Sequence, residues 1–388
     1  MAQRICVVTG SRAEYGLLYW VLHDLRASAG VELQLVVTGM HLVREFGYTV
    51  DQIERDGFDI SRRVDMLLAG DTKSGIAKSI GLGVIGLSDA FEQLQPDLVV
   101  LLGDRFEILA AAQACLVHNI PVAHIAGGDT TEGAFDESIR HAITKMAHLH
   151  LVTNELSARR VRQLGEDPRR IHVVGSPGLD HLRRRALLGR AELEQALGAP
   201  LGARNLLVTF HPVTLEAGQG EEQFTELLTA LDAQPAGTTI WCTRPNADTG
   251  GRAIAAALDT WAAAHPHRVH VYASLGQLRY LSLMAQVDAV VGNSSSGLYE
   301  APSFGVPTVD IGDRQRGRLA APSVIHCAPQ REAIRAAVER ATALDCSQVV
   351  NPYGDGRSAP RIVELLRSLP PAAELLKKTF HLLEPERG

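Results

Sequence analysis

Residues 288–300 read DAVVGNSSSGLYE: a short β-branched run, a glycine, three hydroxyls and then a helical pattern. An apolar run of this length, closed by turn-forming residues, predicts a strand buried on both faces of a parallel sheet. Outward from it the same unit recurs. The second half repeats it as NLLVTFHP (205–212), TTIWCTRP (238–245), RVHVYAS (268–274), VPTVDIGD (306–313) and SVIHC (323–327). The first half carries RICVVTG (4–10), ELQLVVTG (32–39), DLVVLLGD (97–104), IPVAHIAGG (120–128), LHLVT (149–153) and IHVVGS (171–176). Strands alternating with helical stretches predict an α/β chain of two Rossmann-like, doubly wound domains, each built with right-handed crossovers.

The polar, basic stretch HLRRRALLGRAELEQALGAPLGARN (181–205) separates the halves, which places the boundary near residues 176–203. We expect a first domain over 1–178, a second over 179–365, and a helical tail over 366–388 that crosses back onto the first. With 388 residues, 46% hydrophobic and 21% charged, the chain has enough material for two cores. Its net charge of −6 gives no field that would gather nucleic acid or an anionic membrane, so any phosphate must be held by a local site. The five cysteines are scattered without a C-x-x-C pair, which fits a reducing cytoplasm and excludes a zinc ribbon. Gly10 and Arg12 interrupt the first apolar run too early for a secretion signal, and no stretch approaches a transmembrane helix in length.

In an open α/β sheet, ligands bind beyond the carboxyl ends of the strands, so the residues that follow each run carry the chemistry. Asn293, Ser294, Ser295, Ser296 and Gly297 open a helix, offering a diphosphate hydroxyls, backbone N–H groups and the positive end of a dipole. Glu300 is expected about two turns into that helix, where a carboxylate can accept from both hydroxyls of a ribose. The alternative is a serine N-cap with nothing bound. Arg314, Arg316 and Arg318 follow the next strand, and at least one can neutralise phosphate. Thr9–Gly16 forms a glycine turn into a helix with Arg12 at its start, a second place for an anion. His211 ends its strand and can donate to a phosphate or shuttle a proton; Arg244, Asn246 and Asp248 end the following one.

Candidate acids and bases lie in the first half. Asp104, in the run Gly103-Asp104-Arg105-Phe106-Glu107, is either an acid/base group or an N-cap. The loop that begins at Gly127 carries Asp129, Glu132, Asp136 and Glu137, more carboxylates than a turn requires, and Arg140 and His141 come next. His141, His148 and His150 lack the spacing of a compact pair on one helix face, so no metal is expected.

Taken in order from about residue 4 to residue 325, these motifs resemble the hydrolysing UDP-N-acetylglucosamine 2-epimerases, a branch that includes bacterial sialic-acid and legionaminic-acid enzymes. The resemblance implies a GT-B arrangement of two Rossmann-like domains facing a central cleft, a UDP-sugar substrate, no cofactor and a homodimer. By it, Arg12, His211, Asn246, Ser294, Ser295, Glu300 and Arg314 hold the UDP, with Glu300 on the ribose, and Asp104 and Asp136 are catalytic carboxylates. One position departs from the pattern. Ala126, in HIAGGD, stands where several members have an acid, so either that acid is dispensable or Asp129 or Glu132 does its work.

The implied reaction removes the proton at C2, expels UDP from C1 to leave a glycal, and hydrates the glycal to a free manno-configured sugar. Such an elimination needs a base near C2 and a positive clamp on the leaving group. A glycosyltransferase of the same fold, a non-hydrolysing epimerase and a non-catalytic nucleotide-sugar binder are the rival readings, and the carboxylate-rich loop argues against the last. UDP-N-acetylglucosamine and its 2,4-diacetamido-2,4,6-trideoxy relative share the UDP and the C2 acetamido group, which leaves the choice of sugar open.

Overall fold

A computed structural model describes residues 2–68, 72–130, 135–211, 220–244 and 251–383. Its first sheet contains β1 (Gln3–Thr9), β2 (Val31–Thr38), β3 (Arg62–Val64), β4 (Leu98–Leu102), β5 (Val122–Ile125), β6 (Leu149–Val152) and β7 (Ile171–Val173). The second contains β8 (Arg204–Thr209), β9 (Thr238–Thr243), β10 (Val269–Tyr272), β11 (Ala289–Gly292), β12 (Thr308–Ile311) and β13 (Val324–Cys327). The strand orders are β3-β2-β1-β4-β5-β6-β7 and β10-β9-β8-β11-β12-β13, and every pairing is parallel. Both are doubly wound sheets, as the sequence pattern predicts.

Alternation along β1 shows how the layers form. Ile5 and Val7 pack with Leu18, Leu22 and Leu25 of the helix Arg12–Ala27, while Cys6 and Val8 pack on the other face with Leu87, Phe91 and Ile108. A strand covered on both sides has no polar face to show, which is why these runs read as continuously apolar. In the second sheet Leu206 and Val208 face Phe224 and Leu227, and Leu207 faces Leu283 and Met284.

The chain groups into two compact units, Met1–His181 with Tyr353–Gly388, and Leu182–Pro352. The segment returning to the first unit starts at Tyr353, earlier than the residue 366 expected. The cause is the helix Ser358–Arg367, whose Ala359, Ile362, Val363 and Leu366 bury against the helix Arg12–Ala27. Its N-terminus is closed from a distance: the buried Asp180 carboxylate accepts the N–H groups of Ser358 and Ala359 at 2.8 and 2.7 Å. No helix among the described residues is long and apolar enough to cross a membrane.

The last turn of chain is also pinned. Lys378 donates to the carbonyls of Lys145 and Ala147 at 2.8 and 2.6 Å, at the end of the helix Phe135–Met146. It also pairs with buried Glu166 at 2.7 Å, which Lys145 and His150 approach at 2.5 and 2.9 Å. Burial alone would raise the Glu166 carboxyl, but hydrogen bonds from His150, Lys145 and Lys378 hold it at about 2. Glu166→Gln is expected to lower the unfolding free energy by about 1–3 kcal/mol at neutral pH, because the partly exposed ammonium groups of Lys378 and Lys145 lose their carboxylate. A carboxyl held below its ordinary value of 4.5 stabilises fully above that pH and loses its contribution as pH falls through about 2. Urea titrations of both proteins across that range should therefore show the difference closing on the acid side.

Candidate active site

In each sheet the strand order reverses at one point, between β1 and β4 and between β8 and β11. At the second of these, Gly292 adopts φ 137°, and a Cβ on it would lie 1.9 Å from the carbonyl oxygen of Thr209. Only glycine lets the two strand ends approach so closely. Asn293 follows, fully buried. Its side-chain oxygen accepts the His211 N–H at 2.7 Å, its amide donates to the His211 carbonyl at 2.8 Å, and its N–H donates to the Thr209 carbonyl at 3.1 Å. Its own carbonyl accepts from Arg314 at 3.0 Å and Gln315 at 2.8 Å. One asparagine thus ties the histidine after β8 to the arginine loop after β12. The sequence signal for it was a single residue following a strand-terminal glycine.

The serine loop differs from expectation. The helix is a single turn, Ser296–Tyr299, followed by a 3-10 turn over Ala301–Phe304. Pro302 lacks the N–H that would bond the Leu298 carbonyl, so the helix cannot continue. Glu300 therefore sits at the junction, one turn along rather than two, and the helix dipole available to an anion is correspondingly short. What remains is side-chain chemistry. The Ser294 and Ser296 hydroxyl oxygens are 3.1 Å apart, and Tyr280 bonds Ser296 at 2.6 Å. Glu300 Oε2 is buried with no partner among the described residues, and burial pushes the carboxyl up to about 8. A buried carboxyl in that state is a candidate site for the hydroxyls of a ligand.

At the first reversal, β4 is followed by Gly103 and Asp104. Asp104 is not an N-cap, since the helix Phe106–Val117 is capped at Arg105; its carboxylate is ion-paired with buried Arg140. Arg140 also donates to the Asp129 carbonyl at 2.7 Å and to Glu137 at 3.1 Å. Asp136 lies in the first turn of the helix Phe135–Met146, and burial followed by the Asp104 charge raises its carboxyl, against the opposing pull of Arg105 and Arg140. Asp129 Oδ1 accepts from Thr153 at 2.7 Å and Ser157 at 2.6 Å, bonds that brace the loop. Ala126 occupies the left-handed region at φ 63°, and its N–H donates to Leu151 at 3.0 Å. Glu132 and Asn246 lie outside the described residues.

Arg12 is exposed at the first position of its helix, after the N-cap Ser11. Behind it is a group the sequence reading passed over. Glu14 Oε2 accepts the Gly10 N–H at 2.8 Å, and Arg105 forks onto fully buried Glu107 at 2.7 and 3.2 Å. Burial and then the Glu107 charge push Glu14 up to about 8. The three histidines considered as ligands go separate ways: His141 bonds Glu137, His150 bonds Glu166, and His148 accepts the Val122 N–H.

Asp104 with Arg140 at one strand-order reversal, and the serine loop with Arg314 at the other, stand where doubly wound folds bind their ligands. The profile of the UDP-N-acetylglucosamine 2-epimerase family matches residues 23–367, and the chain belongs to that family. It is 41% identical to the GDP/UDP-N,N'-diacetylbacillosamine 2-epimerase (hydrolyzing) of Campylobacter jejuni over 83% of this chain and 84% of that one. Identity to the UDP-N,N'-diacetylbacillosamine 2-epimerase (hydrolyzing) of Legionella pneumophila is 37%, over 97% and 99%. The fold matches the crystal structure of UDP-GlcNAc 2-epimerase from Neisseria meningitidis bound to UDP-GlcNAc, with a TM-score of 0.80 and 19% identity over 95% of this chain and 100% of that one.

Asn293→Leu keeps the bulk of the side chain but removes the acceptor of the His211 N–H and the donor to the His211 carbonyl. Unfolding free energy should drop by about 2–4 kcal/mol, whereas Ser295→Ala, at a partly exposed neighbour, should change it by less than about 1 kcal/mol. Denaturant unfolding of the two variants checks the difference.

Proposed function

We propose that the protein is a hydrolysing UDP-sugar 2-epimerase, converting a UDP-2-acetamido sugar and water to UDP and the free manno-configured sugar. The observation that carries this reading is the pairing of Asp104 with Arg140 beside Asp136, whose carboxyl burial pushes up. Two carboxyls set apart in this way supply a base and an acid for the same substrate. In the first step Asp104 takes the C2 proton, the electron pair forms the C1–C2 double bond, and the C1–O bond breaks to release UDP. In the second step an acid, assigned to Asp136, gives a proton to C2 on the other face, water adds its oxygen to C1 and releases its spare proton to solvent, and exchange with solvent restores ionised Asp104 and protonated Asp136. Asp129, engaged by two hydroxyl donors, is assigned to bracing the loop.

The second unit holds the leaving group. Ser294, Ser295, His211 and Arg314 act on the diphosphate, and Glu300 accepts from the ribose hydroxyls. Negative charge that builds on the leaving oxygen is met by donors already fixed in place, with Asn293 holding His211 and Arg314. The identities to the Campylobacter and Legionella enzymes favour UDP-N,N'-diacetylbacillosamine as the sugar nucleotide over UDP-N-acetylglucosamine. Proton NMR of reactions with each of the two tests that preference: faster release of free sugar from UDP-N-acetylglucosamine would reverse it.

Asp104→Asn keeps the shape of the side chain and removes the base. Turnover should fall about 10²–10⁴-fold, while UDP affinity measured by calorimetry stays within about twofold, because the nucleotide contacts belong to the second unit. Near-normal turnover by the folded variant would strip Asp104 of the role.

A further inference from the structure

Ser294 stands at the end of a run of hydroxyls whose other members have no role above. Tyr280 belongs to the helix Gly276–Met284, and its ring packs with the cluster of Leu275, Leu283 and Met284. Its phenol oxygen is 2.6 Å from Ser296 Oγ, and Ser296 Oγ is 3.1 Å from Ser294 Oγ. The Ser296 N–H also donates to Ser294 Oγ, at 3.4 Å. Nearby, the Thr209 hydroxyl lies 2.6 Å from the hydroxyl of Thr243.

A hydroxyl has one proton to give, so a chain of them has a direction. When Ser294 donates to an anion, its oxygen is left to accept, and Ser296 is the hydroxyl within reach to donate to it. A Ser296 whose proton is given to Ser294 can accept only, and the Tyr280 phenol is placed to donate to it. A phenol is a stronger donor than an alcohol, which places Tyr280 naturally at the donating end. Burial raises the phenol further above its ordinary value, so it keeps the proton it has to give. Each bond in such a chain polarises the next, so that a negative charge at the Ser294 end strengthens all of them.

We propose that Tyr280 is a positioning residue of the anion site: acting through Ser296, its phenol fixes the Ser294 hydroxyl so that the Ser294 proton is left for the diphosphate. The proposal rests on the reading of Ser294 as a diphosphate donor. It also assigns Ser296 a different job from its two neighbours in the sequence, as a link in the relay rather than a contact to phosphate.

Tyr280→Phe deletes one oxygen and keeps the ring, which makes it the direct test. Calorimetry should show UDP binding weakened by about five- to tenfold, with uridine, which has no phosphate, bound within twofold of wild type. Ser296→Ala should give the same pattern. Ser294→Ala should weaken UDP at least as much, and adding Tyr280→Phe to it should change little, because the end of the chain is already missing. If Ser294→Ala weakens UDP but Tyr280→Phe does not, the relay is overturned while the diphosphate assignment stands. Equal losses for UDP and uridine in Tyr280→Phe would reduce its effect to general packing and also overturn the proposal. Unchanged UDP affinity in folded Ser294→Ala would remove the diphosphate assignment and the relay together.

Discussion

Where the order of a parallel sheet reverses, the chains leaving two adjacent strands run to opposite faces, and the backbone between their ends stays uncovered. This chain meets that constraint twice. After β1 the helix Arg12–Ala27 joins one face of the first sheet, and after β4 the helix Phe106–Val117 joins the other. In the second sheet, Phe224 and Leu227 follow β8 onto one face and Ala301 follows β11 onto the other. Asp104, Arg105 and Arg12 belong to the first reversal, and His211, Asn293 and the serine loop to the second. The positions of the functional groups are consequences of winding, and chemistry decides only which residues stand there.

The two reversals are furnished differently. The first gathers acids with arginines: Asp104 with Arg140, Glu107 with Arg105, and Asp136 within the field of both arginines. Such an arrangement spreads carboxyl groups over different environments, which proton transfer in two directions requires. The second gathers neutral donors and one cation, held by a buried amide and a chain of hydroxyls. Donors fixed before the reaction need not reorganise as charge develops on a departing phosphate. In the proposed reaction, an elimination followed by hydration, the first kind of site is assigned to the C2 proton and the second to the leaving UDP.

Most of this arrangement was legible in the sequence because buried parallel strands leave continuous apolar runs and ligand loops must follow them. The parts that were not legible have physical reasons. Strand β3 is three residues long, and two of them are exposed arginines, so Arg62–Val64 carries no apolar run. The one-turn helix after the serines was signalled by Pro302, whose missing N–H outweighed the helical pattern around it. The return of the chain at Tyr353 depends on Asp180 capping a helix that begins at Ser358, a contact between residues far apart in sequence. Arg140 and Asn293 read only as members of their loops, and Tyr280 did not stand out at all. Their parts are set by partners on other elements, Asp104 for the first, His211 and Arg314 for the second and Ser296 for the third, and spacing along the chain carries no trace of such pairs.

The central claim is that the sugar loses its C2 proton and UDP together and that solvent supplies the proton that returns. The direct test is to run the reaction in deuterium oxide with UDP-N,N'-diacetylbacillosamine and with UDP-N-acetylglucosamine, and to read the C2 position of the released sugar by NMR. The account predicts free manno-configured sugar bearing deuterium at C2, formed in step with UDP. A product that keeps its original C2 hydrogen, or an epimerised sugar still joined to UDP, would contradict it.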